Sequence, residues 1–474
     1  MGEEIVSDGF CEADFRAFGQ RLAEETASLR RRLDGRQTHD AEPMVGFELE
    51  AWLIDHACLP AADNTRLLAE LHDPLVVAEL ARFNVELNGA PQMPRGEGLI
   101  TLENELARTW HRCQSSAHDL TRALVAIGIL PTLREEDLVA ENMSEGNRYA
   151  ALNRQVLVAR GGSPLRLDIR GVDRLNIAHP NVLLEAAATS FQVHFQTRAA
   201  QLVRAFNASC LISAPMVALA ANSPYLFQCE LWAESRIPLF EQAVDTSPIT
   251  GEAPHRVTFG ERWLESSAAE CFEDNLARFP PLLPRLMDDP AAELHHLRLH
   301  NGTIWRWNRP LVSVHDDGSL SLRIEHRVMP AGPSIIDMMA NAACYVGLAQ
   351  ALSTQPQAPE ATLDFADARD NFYRAAREGL DAGLHWVDGK TVSCRDLILD
   401  TLLPLADAGL ADLQVSAAVR RRYLGIVQAR VASGQTGAHW QRAYVREHGR
   451  SFPAMLAAYC ERQRSGMPVH EWPI

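Results

Sequence analysis

The chain has 474 residues, 47% hydrophobic and 22% charged, the composition of an ordinary soluble globular protein with room for one large or two to three modest domains. A formal charge of −16, without a basic patch or stripe, argues against a nucleic-acid binder. No run of about 18 apolar residues suggests a membrane span, and nine scattered cysteines without a C-x-x-C pair fit reduced thiols in a cytoplasm rather than disulfides or structural zinc.

The N-terminus, "MGEEIVSDGF", is acidic and has neither a basic n-region nor an apolar h-region, so it does not read as a signal peptide. Val6 also breaks the myristoylation pattern. Residues 12–35 read as an amphipathic helix closed by Gly35. From about 40 to 350, short strands alternate with helices. "MVGFELEAWLID" (44–55) is a strand with Phe47, Leu49, Ala51 and Leu53 on one face and Glu48 and Glu50 on the other. Those two carboxylates are about 6–7 Å apart, two strand rises, on an otherwise apolar segment.

"RFNVELNGAP" repeats the pattern, with Asn84, Glu86 and Asn88 opposite Phe83, Val85 and Leu87. The stretch 99–129 reads as helical, and "PNVLLEAAATSFQ" as helix followed by strand. In "SFQVHFQT", Gln192, His194 and Gln196 oppose Phe191, Val193 and Phe195. "ALAANSPYL" signals a turn at Asn222-Ser223-Pro224. "LRLHNGTIWRWNRPLVSV" places Arg306 and Arg309 beside Trp305 and Trp307, either as a phosphate or carboxylate clamp or as arginines paired to structural acids. In "LRIEHRVMP", Arg323, Glu325 and Arg327 oppose Leu322, Ile324 and Val328, with His326 interrupting the apolar side. Beyond about 365 the strand signal fades into helices. The expected division is an N-terminal helix over 1–38, a catalytic unit over 39–360 and a helical region over 361–474 packed on the same unit.

Alternation alone is the ordinary property of a half-buried antiparallel strand. The joint pattern is not ordinary. Solvated strand faces carry Thr, Ser, Lys and mixed charges, whereas these carry Glu, His, Asn, Gln and Arg. Carboxylates with one imidazole are ligands that hard cations such as Mg²⁺ or Mn²⁺ accept. Clustered carboxylates without a cation would raise one another's pKa and destabilise the fold. Arginines alongside suit phosphate oxygens. Lys390 is the sole lysine among 45 basic residues and no G-x-x-x-x-G-K-[ST] occurs, so a P-loop is excluded and any phosphate must be handled by arginines and metal ions.

Together "GFELE", "VELNGAP", "VHFQ", "ANSPY", "HNGTIWRWNRP" and "RIEHRVMPAGP", in that order over about 40–350, resemble the glutamate–cysteine ligase type 2 family, the carboxylate–amine ligases related to glutamine synthetase. The resemblance implies an α+β fold with a curved, mainly antiparallel sheet whose concave face holds divalent ions and ATP. It implies a reaction in which ATP phosphorylates a carboxylate, glutamate above all, and an amine then displaces phosphate from the acyl phosphate. Carried over by position, Glu48, Glu50, Glu86, His194 and Glu325 resemble the metal ligands. Arg327, Arg306 and Arg309 resemble the catalytic arginines, and Arg306, Arg309, Arg323, Gln196, Asn88 and Arg236 resemble nucleotide or substrate contacts. A further acidic ligand near the second strand is expected, with Asp73 as its candidate. No segment encodes a thiol pocket, so the acceptor, cysteine or another amine, stays open. The partners implied are small molecules, with no nucleic acid and no membrane, and homo-oligomerisation stays open. The rival readings are a metal-dependent hydrolase and a non-catalytic nucleotide- or amino-acid-binding protein on the same fold.

Overall fold

The computed structural model describes residues 9–39, 42–247, 254–387 and 389–474; residues 1–8, on which the reading of the N-terminus rests, lie outside them. Among the described residues the centre is a seven-stranded sheet. Its strands are β1 (Met44–Ile54), β2 (Val76–Ala78), β3 (Asn84–Asn88), β4 (Ala123–Val125), β5 (Phe191–Gln196), β6 (Asn308–Val314) and β7 (Leu320–His326). They run β6–β7–β5–β1–β3–β2, with β4 paired to the last residues of β1, and every pairing is antiparallel.

The four strands with an alternating polar face are thus consecutive neighbours, β7–β5–β1–β3. Their register does the rest. Glu50 lies opposite Glu86, Glu48 opposite both Asn88 and Gln192, and Glu325 opposite both His194 and Arg309. Directly opposed residues of an antiparallel ladder project to the same face. One face therefore collects all the charged residues, and the other buries Leu49, Val85, Leu87, Val193, Phe195 and Ile324.

Helices cover that apolar face. α1 (Glu12–Asp34) matches its expected span, although the left-handed residue at its end is Arg36 (φ 53°) rather than Gly35. α2 (Gly98–Asp119) stops ten residues short of the expected helix. Thr121 turns left-handed, and the apolar run Ala123–Val125 that follows enters the sheet as β4. α3 (Leu202–Ala220) and α4 (Ile335–Thr354) pack on each other and on the back of the sheet. Both are long and apolar enough by composition to cross a membrane, and 89% of each such window is buried inside the protein. His326 enters this apolar layer fully buried, its Nδ1 2.7 Å from Asn308 Oδ1 and its ring stacked 4.0 Å over Tyr345 of α4.

Downstream lie α5 (Phe365–Glu378), α6 (Leu403–Asp412), α7 (Ala417–Ser433), α8 (Gly437–His448) and α9 (Phe452–Arg464). One hairpin, Gly383–His385 with Thr391–Ser393, interrupts this helical region, and Lys390 is exposed in its turn. Two buried polar contacts tie the region to the rest. Arg430 of α7 donates to Asp337 Oδ1 (2.6 Å) and Asn341 Oδ1 (2.5 Å) of α4. The Asn222 turn is a buried hub: its Nδ2 donates to Ala331 O and to the Tyr459 hydroxyl of α9, and its Oδ1 accepts from Gln441 of α8.

α6 crosses α4 at a contact only glycine permits. A β-carbon on Gly409 would lie 1.9 Å from the Gly347 carbonyl oxygen. Gly409→Ala is expected to cost about 1–3 kcal/mol of stability, the usual range for overpacking. Gly425→Ala in α7, with nothing within 4 Å of the added carbon, should gain up to roughly 1 kcal/mol from helix propensity. Thermal unfolding of both variants checks the pair, and equal effects would contradict the contact.

Candidate active site

The charged face opens into a cavity of about 280 Å³. Glu48, Glu50, Glu86, Glu325, Arg309, Arg323 and Arg327 all line it. Where the strands come together, one oxygen each of Glu48 and Glu325 and a nitrogen of His194 lie within 4.8 Å of one another. His194 Nε2 is 3.3 Å from Glu48 and 3.6 Å from Glu325, buried and without a hydrogen-bond partner. Burial lowers the His194 pKa against the pull of Glu48 and Glu325. An imidazole facing two carboxylates is a donor set that suits a hard divalent cation.

Glu325 is the most heavily partnered acid. Arg309 grips it as a fork, Nε to Oε2 at 2.7 Å and Nη2 to Oε1 at 3.0 Å, and Arg327 Nη1 reaches Oε2 at 3.1 Å. Burial works against its charge, but Arg309, Arg327 and His194 outweigh burial and hold the Glu325 carboxyl far below the usual range. Arg327 also donates to Gln192 (2.6 Å), whose amide donates to Glu50 (3.0 Å). Arg323 reaches Ser313 (3.1 Å) and His194 Nδ1 (3.3 Å).

A second acidic group sits beside β3. Burial pushes the Glu50 carboxyl up to about 7, with Glu86 adding to the rise, while Arg327 and the Ser190 N–H oppose it. Burial also raises Glu86, and it raises Glu79 strongly, with the two carboxyls within hydrogen-bonding reach of each other. Asn88 braces Glu86 at 2.8 Å and does not line the cavity.

Besides Asn88, four expected positions differ. Arg306 is buried outside this cavity, where it pairs with Asp274 and donates to Asn275 (2.9 Å), as an arginine beside structural acids does. Arg236 is 2% exposed; it donates to the backbone carbonyls of Arg327 and Val328 and lies 3.3 Å from Glu234. Gln196 sits at the last position of β5, opposite Met44 and off the cavity wall. Asp73 is held by Arg112 (2.6 Å) and the Leu75 N–H, also away from the cavity. The acid near the second strand is instead Glu79, the residue after β2. Its signal was faint, one acid closing the run "LVVAE". Gln192 was visible on the alternating polar face but was not singled out. Glu185 was not singled out either; in the sequence it is only a lone charge in the apolar run "VLLEAAA".

The family described as glutamate–cysteine ligase family 2 matches residues 44–458. The fold is similar to that of the glutamate–cysteine ligase of Francisella tularensis in complex with AMP, with TM-score 0.52 and 12% identity over 92% of this chain and 91% of that one. It is also similar to a bifunctional glutathione synthetase from Pasteurella multocida, with TM-score 0.51 and 9% identity over 94% of this chain and 55% of that one. At these identities the likeness is one of fold. No curated protein matches the chain by sequence.

The raised carboxyls set a pH dependence. Burial pushes the Glu50 carboxyl up to about 7 and the Glu185 carboxyl up to about 8 in the folded protein, above the ordinary glutamate value of 4.5. Their protonated forms therefore stabilise the metal-free fold below about pH 4.5, and that contribution is lost as pH rises through 7 to 8. Added Mg²⁺ or Mn²⁺ should then raise the melting temperature more at pH 8 than at pH 6, because fewer protons compete. Melting curves of chelator-treated protein with and without the cation check this. A gain equal at both pH values would contradict it.

Proposed function

Because the chain belongs to glutamate–cysteine ligase family 2, a family of carboxylate–amine ligases, we propose that it uses ATP and Mg²⁺ (or Mn²⁺) to join glutamate to an amine through a γ-glutamyl acyl phosphate. The observation that carries this reading is the unpartnered Nε2 of His194, buried between Glu48 and Glu325 with Arg309 and Arg327 on the same carboxylate.

Glu48, His194 and Glu325 would hold one cation, and Glu50, Glu79 and Glu86 a second. When bound, the cations supply Lewis-acid pull on phosphate oxygens. The side chains supply position and charge. Arg309, Arg323 and Arg327 line one wall and would neutralise the transferring phosphoryl group, with Arg327 aligned by Gln192. A glutamate carboxylate oxygen takes the γ-phosphoryl and ADP departs. The amine nitrogen then bonds to the acyl carbon, the carbon–oxygen bond to phosphate breaks, and the amide forms. Water has to be kept from the acyl phosphate until the amine arrives. In this reading residues 39–360 carry the chemistry, and the helices of 361–474 brace the sheet through Asn222 and Asp337. The nine free cysteines suit a reducing cytoplasm.

Incubation with Mg²⁺-ATP, glutamate and a pool of amino acids and amines should yield ADP and a glutamyl adduct in equal amounts by mass spectrometry. No ADP under any condition would overturn the ligase reading, and turnover of a phosphate ester without ATP would favour a hydrolase. Arg327→Lys should lower kcat by roughly 10²–10³-fold, since a point charge does not reproduce the fork on a phosphoryl group. Unchanged kcat in that variant would remove Arg327 from the chemistry.

A further inference from the structure

One carboxylate in the cavity is left over after the cation ligands and arginines are matched. Glu185 lines the wall with Tyr149, Leu152 and Val244, and its carboxylate accepts no hydrogen bond and joins no ion pair among the described residues. Its place is set by the backbone rather than by a partner. The 3₁₀ turn Val182–Ala187 is capped by Asn181, which accepts from the Leu183 N–H at 2.9 Å, and Asn153 accepts from the Val182 N–H at 3.0 Å. The Glu185 carbonyl closes the turn by accepting from Ala188. Tyr149 beside it is fixed by donating to Ala78 O at 3.1 Å.

Each charge around it is engaged. Arg327 is taken by Gln192 and Glu325, Glu50 by Ser190 and Gln192, and Glu79 by Glu86. Burial pushes the Glu185 carboxyl up to about 8, and Glu50 adds to the rise. A half-buried carboxylate among other acids, without a partner of its own, favours the arrival of a cation. The opposite wall, with Arg309 and Arg323, is already suited to anions.

We propose that Glu185 receives the ammonium group of the amine acceptor, with Tyr149, Leu152 and Val244 as the wall for its carbon skeleton. The assignment rests on the ligase reading and deepens it, because it makes the acceptor a cationic amine rather than a neutral or anionic nucleophile. One ammonium proton passes to the Glu185 carboxylate, which frees the nitrogen lone pair. The carbon–nitrogen bond forms as the acyl carbon–oxygen bond breaks, and the second surplus N–H proton leaves with the phosphate.

Two nucleophiles of like size separate charge from shape at pH 9, where the Glu185 carboxyl is ionised: methylamine, which is cationic, and hydroxylamine, which is uncharged. Both are offered together with Mg²⁺-ATP and glutamate, and the ratio of glutamyl methylamide to glutamyl hydroxamate is read by mass spectrometry. That ratio does not depend on how much of a variant folds. Glu185→Gln should lower it by about tenfold or more, the scale of a lost hydrogen bond to a charged partner. Glu185→Asp, which keeps the charge, should lower it less. An unchanged ratio in Glu185→Gln would overturn the assignment, as would a wild type that makes hydroxamate and no methylamide. A wild type that makes neither product and no ADP would instead overturn the ligase reading, and this assignment with it.

Discussion

Burying Glu325 as an anion is the interaction on which the charged face depends. It sits 1% exposed on an inner strand, where a lone carboxylate would not survive ionised. The fork from Arg309, the second arginine at 327 and the imidazole at 194 make it stable there. Each of those partners is placed by the ladder itself. Arg309 and His194 are its direct neighbours on β6 and β5, and Arg327 is two residues along its own chain. A one-residue slip of any of these strands would turn the set toward the apolar helices. The register is therefore enforced from both faces at once.

The acid-rich half has the opposite balance. Glu50, Glu79, Glu86 and Glu185 have too few cations near them, and burial raises all four. A wall of arginines on one side and a surplus of carboxylates on the other gives the cavity a direction. Phosphates are favoured at the first, and cations, whether metal or ammonium, at the second. This asymmetry follows from charge and desolvation before any reaction is specified.

Much of this was legible because a strand alternates with period two. The polar faces of β1, β3, β5 and β7 named Glu48, Glu50, Glu86, His194 and Glu325 with no tertiary information, and the structure brings these residues onto one face. Arginines were harder to place. A long side chain can turn toward a cavity or back into the protein, and "WRWNR" carries no sign of which. Arg309 turned in, whereas Arg306 turned to Asp274 and Arg236 to backbone carbonyls. Glu79 and Glu185 escaped notice because they lie at the end of a three-residue strand and in a 3₁₀ turn, where no periodicity marks a face.

What the sequence determined by itself is local: which segments are extended, which side of each strand is polar, and the exclusion of a P-loop by the single lysine. The order of the motifs further pointed to the family. Tertiary structure decided everything that joins distant segments. It made "ANSPY" a buried hub for α8 and α9 rather than a surface turn, set α6 on α4 through paired glycines, and absorbed His326 by stacking it on Tyr345. The physical reason is range. Alternation and turn preference act over a few residues of backbone, whereas a side chain's partner, and hence its charge, depends on what the fold brings within a few ångströms of it.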